Sequence, residues 1–420
     1  ASVALDEMVK DWSVLGLNWA FAGGAEGAAA ILATVAGSMI TITGVVFSMT
    51  LVALSLTSSQ LGPRLLHNFM SDTATQLVLG TFVSTFLYCL LVLRTVRRAE
   101  EVTFIPHLSV SLAVLFAIVS VGVLIYFIHH VSVSIQANEI MARVGAELNN
   151  GIERLFPARI GSGGPRVSAR QPSADFLDAF DQTARPVCSG GDGYLQFIDG
   201  DGLIALAEQE NVVIRLARRP GHYVVADWPL ARVWPGNRLS DTLKERINAA
   251  FALGSQRTPG QDIEFPVTQL VEIAVRALSP GVNDPFTAIS CVDHLGSALC
   301  RLAQRELPSP YRHDEQGQLR LIAPVVTFAE VVDAAFNQIR QYGRSSVAVT
   351  IRMLETISVI AEFAHRPEER TALLRHAEMI ARGARDGLPE AEDRGAVEKA
   401  YRAACLACGK PARPGPETSG

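Results

Sequence analysis

Residues 27–63, 73–93 and 102–138 contain no aspartate, glutamate, lysine or arginine. A helix needs about 20 apolar residues to cross a bilayer, so each uncharged window holds one span. The spacing predicts spans near residues 31–56, 75–93 and 108–128. The chain also lacks a basic excess, with a formal net charge of −5 and an isoelectric point near 6.0, which excludes nucleic acid as a partner. Its six cysteines form no secreted disulfide framework. Absent too are a phosphate-binding glycine loop, a nucleophile elbow, zinc-type histidine spacing and a dinucleotide glycine pattern. Nothing in the sequence requires an enzyme or a cofactor.

What is present fits a polytopic α-helical membrane protein. Hydrophobic residues make up 49% of the 420, and the mean hydropathy is +0.23. Residues 1–30 form an acidic extramembrane segment carrying Asp6, Glu7, Asp11 and Glu26. The apolar start at Ala1 and Leu5 leads us to expect either a further span upstream or a removed signal peptide. Two orientations follow from the flanking charges. Arg94, Arg97 and Arg98 between the second and third spans put that loop inside and the C-terminal part outside. An upstream span with a cytoplasmic N-terminus reverses this, and the acidic first segment and unpaired cysteines favour a cytoplasmic C-terminal region.

Beyond the third span, apolar residues at Ile140, Val144, Leu148, Ile152 and Leu155 keep helical spacing, predicting an unbroken helical extension over 131–156. Residues 157–175 are rich in Gly, Pro and Ser and read as a flexible linker. Residues 176–238 carry five short β-like runs, "RPVCS", "GYLQFID", "NVVIRLA", "HYVVAD" and "ARVW", broken by a helix at 202–210. That pattern suggests a small β-barrel or sandwich module. It resembles the lipoyl type of barrel-sandwich, but no lysine stands at the carrier turn.

From 239 to 408 a helical bundle is expected, with helices at 240–253, 267–278, 285–304, 328–342, 346–365, 368–385 and 391–407. Within it, "QGQLRLIAPVV" reads as a short hairpin, Thr327 with Glu330 as a capping box, and Asp284–Pro285 as a cap followed by a first-turn proline. Residues 409–420 read as a disordered tail.

The first span repeats a hydroxyl every seven residues, at Thr34, Thr41, Ser48 and Ser55, flanked by Ser38 and Ser59 and by Gly37 and Gly44. Ile31, Leu32, Ile40, Ile42, Val46 and Leu54 largely cover the other face. Such a stripe either lines a hydrated pathway in a homo-oligomer, replacing part of an ion's water shell, or lets helices pack closely. The spans hold no acid or base for a proton relay. His129 and His130, adjacent on a helix, point about 100° apart and make a poor metal pair. Cys405 and Cys408 have metal spacing but no second ligand pair.

The densest polar stretch of the soluble part, 257–300, holds Asp262, Glu264, Glu272, Arg276, Asp284, Asp293 and His294. A membrane-bound enzyme would use Asp284, Asp293 and His294 as acid, base or metal ligands. The plainer reading is a helical hairpin turning at Pro280, Gly281 and Pro285, with a Glu272–Arg276 helical ion pair.

Together, "AGSMITITGVVFSMTLVALSLTSSQLGPRLL", "GTFVSTFLYCLLVLRTVR", "IPHLSV" before "VSVGVLIYFIHHVSVSIQ", and "QDIEFPVTQLVEIAVRALSPGVNDPFTA" resemble a bacterial family of predicted membrane proteins, domain of unknown function 2254. The likeness runs from about Leu5 to Ala407. It implies one more hydrophobic helix before Ala1, four spans and a cytosolic C-terminal part. It brings no activity and no catalytic residues. The combined expectation is a homo-oligomeric, channel-like protein of the bacterial inner membrane, or a non-conducting scaffold or sensor whose stripe only packs helices.

Overall fold

The architecture is taken from a computed structural model, which describes residues 24–61, 73–99, 102–104, 106–134, 136–156 and 171–409. The chain is mostly helical and divides into two compact units, Ala1–Ile140 and Met141–Gly420.

The first unit holds three helices long and apolar enough to cross a membrane: α1 (Ala25–Leu61), α2 (Thr73–Leu93) and α3 (His107–Ser134). Strands β1 (Arg97–Ala99) and β2 (Val102–Phe104) pair as an antiparallel hairpin between α2 and α3. Two apolar clusters hold the helices together. Leu32 and Ala36 meet Cys89, Val92, Val110 and Ala113, while Met39, Val46 and Ala53 meet Val78, Phe82, Phe127 and Val131. In lipid this contact is stabilised by close packing rather than by removing apolar surface from water. Threonine hydroxyls inside the spans bond their own helix four residues back, as Thr43 does to the Met39 carbonyl at 2.7 Å and Thr50 to that of Val46 at 2.8 Å. A polar atom in hydrocarbon must find such a partner.

The predicted continuous helix after the third span is interrupted. α3 ends at Ser134 and α4 begins at Ala137. The Gln136 N–H reaches the Val133 carbonyl at 3.1 Å, and the Gln136 carbonyl accepts from Glu139 and Ile140 at 3.0 and 3.2 Å, opening a new helix. The local "VSVS" sequence weakens the helix there, since β-branched residues lose χ1 freedom and serine competes for backbone bonds. α4 (Ala137–Leu155) is amphipathic: Met141, Val144, Leu148 and Ile152 are buried at helical spacing.

In the second unit, α5 (Ala174–Thr183) leads into β3 (Arg185–Cys188), β4 (Gly193–Ile198), α6 (Gly200–Gln209), β5 (Val213–Leu216), β6 (Tyr223–Val224), β7 (Pro229–Trp234), α7 (Asp241–Ala249) and β8 (Phe251–Gly254). All five predicted β runs are strands, but they close no barrel. They divide between an open five-stranded sheet, ordered β3-β7-β5-β10-β9, and a three-stranded sheet, β6-β4-β8. Here the stretch read as a hairpin, 316–326, holds only one strand, β10 (Leu319–Ile322); its antiparallel partner β9 (Tyr311–His313) lies before that stretch, and on its other side β10 runs parallel to β5. The last residues of the helix predicted over 240–253 instead pair as β8 with Tyr194–Ile198.

Alternation along the strands explains why both faces of the larger sheet are covered. Ile214, Leu216 and Leu321 point into a core shared with α6, α7 and the smaller sheet, whereas Val213 and Ile322 meet Phe180 and Ala184 on the α5 side. The helices form as predicted: α8 (Glu264–Ala277), α9 (Pro285–Ala303), α10 (Phe328–Gly343), α11 (Val347–Phe363), α12 (Pro367–Gly387) and α13 (Ala391–Ala407). Leu148 of α4, Val267 of α8, Leu299 of α9 and Val331 of α10 converge on one buried point. The expected linker, apart from 171–175, and the tail beyond Gly409 lie outside the described residues, as do 1–23 of the acidic segment.

Candidate functional site

The hydroxyl stripe lies on α1, and its side chains face away from the unit's own helices. Thr34, Gly37, Ser38, Thr41, Gly44, Ser48 and Ser55 are all exposed in the chain as it stands, while Leu32, Ala36, Met39, Val46 and Ala53 form the seam toward α2 and α3. A side chain grown from Gly37 or Gly44 would meet no atom within 4 Å. Thr34 donates its hydroxyl to the Ala30 carbonyl at 2.7 Å and Thr41 to the Gly37 carbonyl at 2.9 Å. Those protons point back along the helix, which leaves oxygen lone pairs as the outward polar feature. The opposite face differs in detail from the sequence reading, because Ile40 is 48% exposed rather than part of the seam. Ser59 lies in α1, but its side chain is outside the described residues.

The seven polar residues of 257–300 are distributed over different tasks. Asp262 is buried and accepts from Arg257 Nε at 2.7 Å, Arg257 Nη2 at 3.0 Å and the Glu264 N–H at 3.1 Å. Glu264, in the first turn of α8, receives Arg219 Nη2 at 3.0 Å. Glu272 and Arg276 lie one turn apart further along the same helix. Asp284 caps α9, accepting the Phe286 and Thr287 N–H groups at 3.1 Å each and the Thr287 hydroxyl at 2.6 Å. The Thr287 hydroxyl is the main reason the Asp284 carboxyl is held below the usual aspartate range. Asp293 pairs with Arg352 of α11 at 2.6 Å. His294 packs beside Gly145 of α4, where an added Cβ would lie 2.7 Å from Nδ1. Asp284, Asp293 and His294 thus serve a cap, an ion pair and a helix contact, which accounts for each without a shared reacting centre.

Two features escaped the sequence reading. His376 on α12 is fully buried, with Nε2 2.6 Å from Asp333 Oδ1, and burial lowers its pKa despite that carboxylate. The second is a cleft of about 520 Å³ beside the sheets, lined by Arg154, Arg218, Arg219 and Arg312 together with Asp199 and Asp201. Its arginines come from three separate places, Arg154 on α4, Arg218 and Arg219 in the loop after β5 and Arg312 on β9, so no local spacing announces it. Among the described residues no three metal-ligating side chains cluster. Cys405 and Cys408 are both buried free thiols, and burial, helped by Cys405, pushes Cys408 up to about 11. A thiol held protonated at neutral pH is a poor metal ligand or nucleophile.

The model of the family described as "Predicted membrane protein (DUF2254)" matches residues 1–358. Uncharacterized protein Mb1321c of Mycobacterium bovis is 34% identical over 383 residues, covering 90% of this chain and 72% of its own. Uncharacterized protein Rv1290c of Mycobacterium tuberculosis matches with the same identity and coverage. No solved structure matches the chain. The chain belongs to the DUF2254 family of predicted membrane proteins.

Proposed function

We propose that this family member assembles through the hydroxyl and glycine face of α1 into a homo-oligomeric channel of the bacterial inner membrane, with its C-terminal region in the cytoplasm. One observation carries the reading: a heptad-spaced set of hydroxyls is turned outward from the three-helix unit, on a span with no ionisable side chain beyond Glu26 in its first turn. A face meant only for lipid has no need of seven small or hydroxylated positions. Because Thr34 and Thr41 direct their protons inward, the face offers oxygen acceptors, and such a lining favours a cation over an anion. The reading assigns no turnover to the protein.

A second reading has its own support. Gly37 with Thr41, and Gly44 with Ser48, form small-xxx-small pairs whose open surface suits close helix packing in a non-conducting scaffold or sensor. Flux measurements in liposomes separate the two. Under the channel reading, wild type passes cations, and Ser48→Leu lowers the flux while the oligomer survives in detergent. Loss of the oligomer in Ser48→Leu, or a wild type silent to voltage, osmotic and pH challenge, supports the packing role and overturns the channel.

A further inference from the structure

We propose that the arginine-lined cleft of the second unit binds a mononucleotide: a phosphorylated small molecule with hydroxyl or amino donors and a flat ring. The inference stands on the cleft alone and is independent of the channel reading. At about 520 Å³ the cleft falls within the range of small-molecule sites. Its charges divide into those already satisfied and those still available. Asp262 is matched by Arg257, and Arg219 by Glu264 and Glu330. Arg154 donates to the Pro259 carbonyl at 3.1 Å. Arg218 and Arg312 make no ion pair among the described residues, and Arg218 is steadied by stacking 5.1 Å over Trp228. A guanidinium fixed in this way matches phosphate oxygens without first being ordered.

Two further facts narrow the class. Arg219 Nε is buried with no acceptor, and a buried donor of this kind calls for a partner that the protein does not supply. At the N-terminus of α6, Asp199 caps the Gly202 N–H through Oδ1 at 2.9 Å, and Asp201 is exposed beside it. Those carboxylates counter the helix dipole and repel a bare anion, but they accept hydroxyl or amino protons. A ligand that suits the whole cleft is therefore anionic at one end and donor-rich at the other. Phe197, 50% exposed on β4, and the apolar Val325 and Pro324 provide a wall for a ring.

The test is equilibrium binding of AMP, ATP and inorganic phosphate to the full-length protein in detergent. Wild type is expected to bind a nucleotide saturably at one site per chain. Arg218→Gln and Arg312→Gln should each weaken it about tenfold or more, since hydrogen bonds to charged groups have that weight. Both variants should melt as wild type does, and Arg218→Lys should recover part of the affinity. Asp201→Asn should weaken the nucleotide and leave phosphate unaffected or tighter. No saturable nucleotide binding up to about 10 mM overturns the proposal, because affinity beyond that is weaker than a built site gives. So does equal binding by wild type and a folded Arg312→Gln, or phosphate competing as well as the nucleotides, which would mark a simple oxyanion site.

Discussion

Gly221→Ala is the substitution whose cost the geometry lets us work out most directly. Gly221 adopts a φ of +92°, and a Cβ there would stand 2.2 Å from Asp262 Oδ2, 2.5 Å from Cγ and 2.9 Å from Oδ1. The backbone alone costs an L residue about 1–2 kcal/mol in a left-handed conformation. The overlap adds more, because Asp262 cannot yield: its side chain is 2% exposed and holds Arg257 through two oxygens. Separating a buried carboxylate from the cation it is paired with costs about 3–5 kcal/mol, and Arg257, at 21% exposure, recovers part of this in water. A total loss of about 3–5 kcal/mol is expected, lowering the melting temperature by roughly 10 °C. Thermal melting of the full-length protein in detergent reads it, with the fluorescence of Trp228 and Trp234 reporting from the sheet region. The cycle is the sharper test. In an Asp262→Ala background the clash is gone, and Gly221→Ala should cost only the backbone term of about 1–2 kcal/mol. If the two substitutions add within about 0.5 kcal/mol, the close approach of Gly221 and Asp262 is not what requires glycine there.

Two other perturbations have a definite sign. Asp284→Ala removes the cap of α9 and should cost about 0.5–2 kcal/mol at neutral pH. The Asp284 carboxyl is depressed in the folded state, chiefly by the Thr287 hydroxyl, so its stabilisation is full above the usual aspartate range and is lost as pH falls through the depressed value. The difference in melting temperature between wild type and variant should close at acid pH, and a constant difference refutes the role. For His376, burial lowers the folded pKa, so the unfolded chain takes up a proton first as pH falls through about 6.5. Stability should drop between pH 7.5 and 5.5. His376→Gln should flatten that slope without abolishing it, since burial also lowers His222; identical slopes would show that His376 carries no part of it.

Legibility followed the range of the interaction. The three spans could be read because a window without charge is a property of contiguous sequence, and the structure extends them only at their ends. The capping box of Thr327 and Glu330, and the cap at Asp284, could be read because donor and acceptor lie three residues apart or fewer. Phe251–Gly254 was misread because a four-residue apolar run after a helix carries no sign of the strand it will join. The parallel pairing of Leu321 with Ile214 joins residues far apart in sequence, and no turn chemistry encodes it. On α1 the heptad of hydroxyls was visible, but which face meets α2 depends on Val78, Phe82 and Cys89, residues of another helix. Asp262 and Glu264 were picked out as polar residues; Asp262 finds Arg257 within the same stretch, but Arg219, the partner of Glu264, lay outside it.

Arg219 shows why the cleft has no motif. It follows β5, and its guanidinium joins Glu264 in the first turn of α8 to Glu330 in the first turn of α10. Glu330 already closes the capping box, accepting the Thr327 N–H at 2.8 Å. Burial pushes its pKa up, but the Thr327 N–H and the Arg219 charge outweigh this and hold it below the usual glutamate range. As an isolated pair the Arg219–Glu330 contact, with Glu330 45% exposed, is worth only about 0–1 kcal/mol. Its importance is geometric. One carboxylate sets where α10 begins, and the same carboxylate fixes the arginine that lines the cleft. The wall of the cleft is therefore positioned by helices of the bundle, although Arg219 itself belongs to the sheet region. Such a site comes into being only when both regions have folded against each other, and its residues need share no spacing in the chain.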